Sequence, residues 1–324
     1  MKFGVTDKLF SDGKEMRAAF CETMIKLAKE DERIILLDCD LMGAMGTKPF
    51  KAAFPERTID CGIQENDMFS IAAGLSTEGK IPFAHTFGVF ASRRSCDQIT
   101  ISCAYAKQNV KIVGSDPGIT AALNGGTHMA FEDLGIMRTI PDITVVEPTD
   151  CVMLTNLIPK IAAAYGVYYV RLVRRGCENV YTEGSDFDIG RANLLREGTD
   201  VTIIAMGYCV AQAMEAARTL AAEGISAEVI DMFTLKPIDR EAIIRSAKKT
   251  GAVVTAENHN INGALGSAVA EVLCESAPAP LVRIGMRDRF GIVGLRDDLA
   301  ERFGLNAKGI AAGVREVIAK KVKK

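Results

Sequence analysis

Arg33-Ile34-Ile35-Leu36-Leu37-Asp38 is a short, uninterrupted apolar run closed by charges at both ends. A run of that length with no polar alternation suggests a strand buried on both faces, as strands of a parallel sheet are. Just upstream, Asp12-Gly13-Lys14-Glu15 has the spacing of a helix capping box, and Met16, Phe20, Met24 and Leu27 then fall on one helical face. That pattern predicts a helix ahead of the strand. Downstream the alternation repeats, with strand-like runs at 81–84, 110–113, 143–146 and 167–170 separated by helical stretches near 65–78, 89–107 and 150–164. Such alternation implies right-handed crossovers around a mostly parallel sheet.

From Arg174 to Asn193 the pattern dissolves into charges, glycines and short polar residues, which reads as a domain boundary. A second alternation follows. It opens with Val201-Thr202-Ile203-Ile204-Ala205, continues through Ala227-Glu228-Val229-Ile230-Asp231 and Ala252-Val253-Val254-Thr255-Ala256-Glu257, and places helices between these runs and after Gly263. The expected fold is therefore α/β, two tandem mostly parallel-sheet domains, with a first unit at 1–178, a linker at 179–195 and a second unit at 196–324.

The bulk composition restricts the function classes. With 324 residues, 48% hydrophobic, and a formal net charge of -2, the chain can bury two ordinary cores and has no basic stripe for nucleic acid. The N-terminal residues lack the apolar run of a signal peptide and no stretch is long and uncharged enough to span a membrane, so the expected location is the cytoplasm. Nine cysteines lie without the close pairs of a zinc or dithiol centre, and reduced thiols fit that spacing. Only three histidines occur, His85, His128 and His259, which argues against a multi-histidine metal centre and against a catalytic triad.

In open parallel sheets ligands sit beyond the carboxyl ends of the strands. Four such segments stand out: Asp38-Cys39-Asp40-Leu41-Met42-Gly43, Asp60-Cys61-Gly62-Ile63-Gln64-Glu65-Asn66, His85-Thr86-Phe87-Gly88-Val89-Phe90, and Gly125-Gly126-Thr127-His128. Each alone has an ordinary explanation. Glu65 and Asp67 suit the first turn of a helix, Phe87 and Phe90 suit a core, and Asn124-Gly125-Gly126 suits a loop.

Their combination resembles the pyrimidine-binding and C-terminal domains of transketolase over almost the whole chain. The residues that carry the resemblance are Gly62-Ile63-Gln64-Glu65 at a helix start, Ala72-Ala73-Gly74, Thr86-Phe87-Gly88-Val89-Phe90, Arg17 in the first helix, Cys39-Asp40-Leu41 after the first strand, and Glu257-Asn258-His259. The resemblance implies thiamine diphosphate as cofactor, whose thiazolium supplies a carbanion once its own aminopyrimidine has taken the proton. It implies that Glu65 is the catalytic acid, hydrogen-bonded to the pyrimidine. Phe90 would stack on that ring, Phe87 would line the pocket, Leu41 and Ile63 would prop the bent cofactor, and Asp40 would lie near the thiazolium edge.

For substrate, the resemblance implies Arg17 and Arg171 as grips on a sugar phosphate, with surface ion pairing as the plain alternative, and His128 as a retained loop histidine. Three positions depart from the family. Asp116 stands where a histidine is usual, and Asn124 stands where an aspartate is usual; a phosphate-serving serine is replaced by Ala44 or Met45. Because discrimination rests on such contacts, a sugar substrate other than the usual pentose phosphates is expected.

The family's diphosphate-binding domain, with its Gly-Asp-Gly run, does not occur in this sequence. A separate N-terminal diphosphate-binding transketolase subunit is therefore expected to hold Mg2+ or Ca2+ and to join this chain in an α2β2 assembly; no metal ligand is expected on this chain. Glu257-Asn258-His259 reads as structural, and His85 stays open between the substrate funnel and support of the turn. Alternatives are the beta chain of a 2-oxo-acid dehydrogenase, which has a similar Asp97-Gln98-Ile99 segment, a deoxyxylulose-phosphate synthase type, and a non-catalytic binding or assembly subunit.

Overall fold

The structure is a computed structural model and describes residues 2–321. Fourteen strands occur among them: β1 (Val5–Phe10), β2 (Ile34–Asp38), β3 (Thr58–Asp60), β4 (Ile81–Phe87), β5 (Lys111–Ser115), β6 (Ile143–Val146), β7 (Val167–Leu172), β8 (Asn179–Tyr181), β9 (Asn193–Arg196), β10 (Val201–Ala205), β11 (Ala227–Asp231), β12 (Thr234–Lys236), β13 (Val253–Asn260) and β14 (Leu281–Met286). They form a seven-stranded sheet in the order β12-β6-β7-β5-β4-β2-β3, a five-stranded sheet in the order β14-β13-β10-β11-β9, and the small pair β1-β8.

Both large sheets are parallel except at one edge, where β12 and β9 run antiparallel to their neighbours. The expected α/β architecture with two mostly parallel sheets is what the chain adopts. Every residue of β2, β4 and β5 is buried, which explains why these strands carry no polar alternation. Phe20 from the helix Met16–Glu30 meets Phe83 of β4 with ring centroids 6.4 Å apart, and the helix Cys151–Ala163 packs beside it on the same face. On the opposite face Met68 and Phe69 of the helix Glu65–Thr77 are fully buried.

The expected capping box does not form. The first helix begins at Met16 with Glu15 as its N-cap residue and no side-chain cap. Asp12 instead accepts from the backbone N–H of Lys14 at 2.9 Å, and Glu15 turns to pair with Arg17 at 2.7 Å. Aspartate closes a local turn on a backbone N–H two residues on as readily as it caps a helix, and the positive φ of Gly13 favours the turn.

The predicted helix near 89–107 is interrupted. It comprises wide π-type turns at Phe90–Arg94 and Ile99–Tyr105 around a short α-helical piece at Cys96–Gln98. The first wide turn lies against the candidate site. No helix among the described residues is long and apolar enough to cross a membrane, and the nine cysteines are free thiols.

Candidate active site

The parallel pairing of β2 with β3 sets Asp38 opposite Asp60, so the turns after these strands lie side by side. One carboxylate oxygen of Asp60 binds both. It accepts from the backbone N–H of Asp40 at 2.8 Å and from that of Gly62 at 3.1 Å. Asp40 adopts a left-handed φ of 58°, and Leu41 donates its N–H to Asp38 at 2.5 Å. Burial pushes the Asp38 carboxyl up to about 6 against the pull of that hydrogen bond. The cysteine and glycine turns are thus fixed to each other before Glu65 enters its helix.

Glu65 opens the helix Glu65–Thr77 and is 1% exposed. Its Oε1 lies 3.5 Å from the hydroxyl of Thr86 on β4, and its Oε2 accepts from the Arg94 guanidinium at 2.5 Å. Beyond it Phe87, Phe90 and His128 form a triangle of edge-on rings with centroids 5.4 to 5.9 Å apart. Met45, Val89 and Ala130 pack behind Phe87, with Leu41 and Ala44 against them. The result is a buried carboxylate at the foot of an apolar, aromatic wall.

Arg94 also lies over the face of Phe90, with the guanidinium carbon 4.1 Å from the ring centroid. A flat, cationic donor therefore sits at once on the carboxylate of Glu65 and on the aromatic face of Phe90. Thiamine diphosphate offers the same chemistry through its aminopyrimidine: a planar ring to stack and a ring nitrogen to bond a carboxyl group. The donor set fits the cofactor, and Arg94 is its stand-in.

Around the triangle lie further charged and polar groups. Arg174 is nearly buried, its guanidinium 5.4 Å from the Phe87 centroid and its Nε 2.9 Å from an Asp116 oxygen. That contact is a charge contact without hydrogen-bond alignment, because both Asp116 oxygens still lack an aligned donor among the described residues. Burial pushes the Asp116 carboxyl up to about 6, with Arg174 and Arg175 opposing. His128 is lowered from its ordinary value, first by burial and then by Arg174 and Arg94, and its Nδ1 meets the hydroxyl of Thr127 at 2.9 Å.

The remaining expected residues divide. Arg17 lies near the Leu41 turn, where its guanidinium binds Glu15 and donates to the carbonyl of Ala44 at 2.7 Å. Asn124 is exposed on the loop, and Ile63 is 76% exposed beside the cofactor turn. Arg171 needs correction. It lies fully buried within β7, and every guanidinium nitrogen is taken by Asp133, Glu147 or the carbonyls of Ala130 and Asn258. It has no donor left for a substrate. Arg174, three residues on and beyond the end of β7 at Leu172, is the arginine that lies beside Phe87 and Asp116.

Arg94 and Arg174 escaped the sequence reading, although a signal existed for each. Arg94 follows Phe90 by one helical turn, and Arg174 lies past a strand end, where ligands gather. His85 is settled by its packing: it is buried against Phe20 of the first helix with centroids 5.1 Å apart, while Thr86 beside it turns its hydroxyl to Glu65.

The fold and site define a protein with a thiamine-diphosphate-type pyrimidine-binding domain followed by a second parallel-sheet domain. Residues 12–177 match the transketolase pyrimidine binding domain, and residues 190–310 match the transketolase C-terminal domain. The chain belongs to the transketolase family and is a transketolase-type transferase subunit. It is 54% identical over 306 residues to the 6-deoxy-6-sulfo-D-fructose transketolase subunit SqwH of Clostridium sp. (strain MSTE9), covering 94% of this chain and 95% of that protein. It is 35% identical to an apulose-4-phosphate transketolase subunit of Phocaeicola vulgatus, covering 94% and 97%. Among solved structures, a split-gene transketolase described as an inactive beta4 tetramer aligns with a TM-score of 0.88 and 44% identity, covering 96% of this chain and 100% of that one. A dehydrogenase or non-catalytic reading is not favoured by these matches, and a split arrangement implies a partner subunit.

Proposed function

We propose that this chain is the cofactor-activating subunit of a split transketolase whose ketose donor carries a sulfonate in place of the usual terminal phosphate. In ketol transfer the C2–C3 bond of a ketose breaks, the remainder leaves as an aldose, and the two-carbon unit joins an acceptor aldehyde. Bound thiamine diphosphate supplies the carbanion for that exchange. Glu65 carries the proposal. A carboxyl group held almost without solvent beside Phe90 is placed to hydrogen-bond a pyrimidine nitrogen. Phe87 and Phe90 exclude water, Leu41 and Ile63 support the cofactor, and Asp40 stands at its edge.

Arg174, Arg17, Asp116, Asn124 and His128 are assigned to the sugar. Arg174 presents a planar fork to a terminal oxyanion, and sulfonate and phosphate offer similar oxygen geometry to it. Asp116 and Asn124 change the hydroxyl contacts, in line with the unusual sugars that name the two relatives. The proposed partner is a diphosphate-binding chain that holds Mg2+ or Ca2+, and the proposed assembly is α2β2. Exposed Ile63, at 76%, gives the cofactor side an apolar side chain for such a partner to cover, and Ile101 and Tyr105 are exposed farther along the 90–105 segment. We place the enzyme in the cytoplasm, where nine free thiols stay reduced. We assign cofactor activation to residues 1–178, joined through 179–195 to a second domain at 196–324.

The test is reconstitution with the diphosphate-binding subunit, cofactor and metal. The mixture should transfer a ketol unit from 6-deoxy-6-sulfofructose to an aldose phosphate, and this chain alone should not. Preference for xylulose 5-phosphate with ribose 5-phosphate would overturn the substrate, and robust activity without a partner would overturn the split site. Glu65→Gln should abolish turnover while the subunits still co-purify.

A further inference from the structure

Glu257-Asn258-His259 closes the inner part of β13, and none of its side chains has a part in the proposed chemistry. Glu257 accepts the backbone N–H groups of Leu265 and Gly266 at the next helix start, and His259 accepts from Gly135 at 3.3 Å. Asn258 reaches further. Its Oδ1 accepts from the N–H of Ile119 at 3.0 Å and its Nδ2 donates to the carbonyl of Pro117 at 2.8 Å. One side-chain amide from the second sheet thus pairs with the turn Pro117–Ile119 of the first domain, as a neighbouring strand would.

Gly118 lies between those two contacts at a φ of 47°, and a Cβ there would collide with the Asn258 side-chain oxygen. Immediately before the turn, Asp116 holds a φ of 57°. A left-handed conformation costs a non-glycine residue about 1–2 kcal/mol and persists only where its surroundings impose it. The far end of the same loop is tied to the same residue. The N–H of Gly118 donates to the carbonyl of Ala130 at 3.0 Å, and buried Arg171 donates to both Ala130 at 2.9 Å and the backbone carbonyl of Asn258 at 3.0 Å. Between these ends Gly125 and Gly126 lie against Val293 and the carbonyl of Gly291 of the second domain.

We propose that Asn258 is a positioning residue: it holds the 116–130 loop from the second domain and so sets the aim of Asp116 toward Arg174 and of His128 toward the site. The inference rests on the transketolase reading for its kinetic readout and is independent of which sugar is used. The chemistry selects asparagine. Aspartate would lose the donor and face the Pro117 carbonyl with negative charge, alanine would lose both bonds, and glutamine would push its longer stem into the space that Gly118 leaves.

Asn258→Asp and Asn258→Ala, reconstituted with the partner subunit, test this. Cofactor Kd should stay within about twofold, since Glu65 and Phe90 lie on other elements, while KM for the donor ketose rises about tenfold and selectivity among donors falls. Gly118→Ala should reproduce the KM effect from the other side of the contact. In the wild-type chain the Ile119 amide should be protected from hydrogen exchange, and in Asn258→Ala it should exchange about tenfold faster, a readout that needs no turnover. Unchanged KM and selectivity in both variants, together with unchanged exchange of the Ile119 amide in Asn258→Ala, would overturn the proposal, as would parallel loss of cofactor affinity and donor affinity. If the wild-type complex turns over no ketose at all, the transketolase reading fails while the exchange result still decides the role of Asn258.

Discussion

Glu65 is paired before any cofactor arrives, and that pairing has a measurable consequence. If Glu65 and Phe90 hold the pyrimidine as proposed, Arg94 leaves both the carboxylate and the face of Phe90 when it binds. Arg94 is 41% exposed on its side chain, so the ion pair is worth only about 1 kcal/mol after screening. Arg94→Ala should therefore tighten cofactor binding by about fivefold in calorimetry on the reconstituted complex. Unchanged binding would show that the Arg94 contacts do not compete with the cofactor, and weaker binding that Arg94 helps hold it instead. At this scale the sequence was readable for residues whose neighbours in the chain define them: Glu65, Phe87 and Phe90 belong to short runs and come together through Arg94. It was misleading for Arg171, because two arginines three residues apart look alike until β7 is known to end between them. The inner one neutralises buried Asp133 and Glu147, and the outer one reaches the site.

Elements follow the same logic through packing. Because β4 is covered on both faces, its side chains divide between the catalytic side and a dry core, and His85 falls on the dry side. Both ring nitrogens lack partners among the described residues, and burial lowers its pKa to about 3. Below the ordinary histidine value of about 6.5 the unfolded chain takes a proton that the folded chain refuses. Stability should thus be lost as pH falls from about 6.5 toward 3, by up to about 1.4 kcal/mol per pH unit from this one group. His259, lowered to about 4, acts in the same direction, whereas Asp231 and Glu257, raised to about 7, act oppositely. The difference between wild type and His85→Phe isolates the term: urea titrations at pH 7 and pH 5 should show a smaller drop in the variant. Long buried strands were legible because apolar runs of their length have few other uses. Short edge strands such as β9 and β12, β14 with its mixed burial, and the wide turns at 90–105 were not, since nothing local distinguishes them from loops or regular helix.

At the scale of the molecule the two sheets are bound together by polar groups as well as apolar ones. Arg171 and Asn258 join a strand of each, and Tyr181 and Phe187 pack with Phe233 across the segment that the sequence marks as a linker. β12 goes further, since a strand from the second half completes the first sheet by pairing with β6. This pairing also constrains the order of events during synthesis. As the chain leaves the ribosome, β6 presents an open edge until Thr234–Lys236 has emerged, long after the rest of its sheet is available. An open apolar edge recruits other strands. A fragment ending at residue 195 should accordingly aggregate where the full chain does not, and the same fragment supplied with a Thr234–Lys236 segment by circular permutation should gain solubility, which light scattering after dilution from urea would report. The first domain is encoded first but finished late.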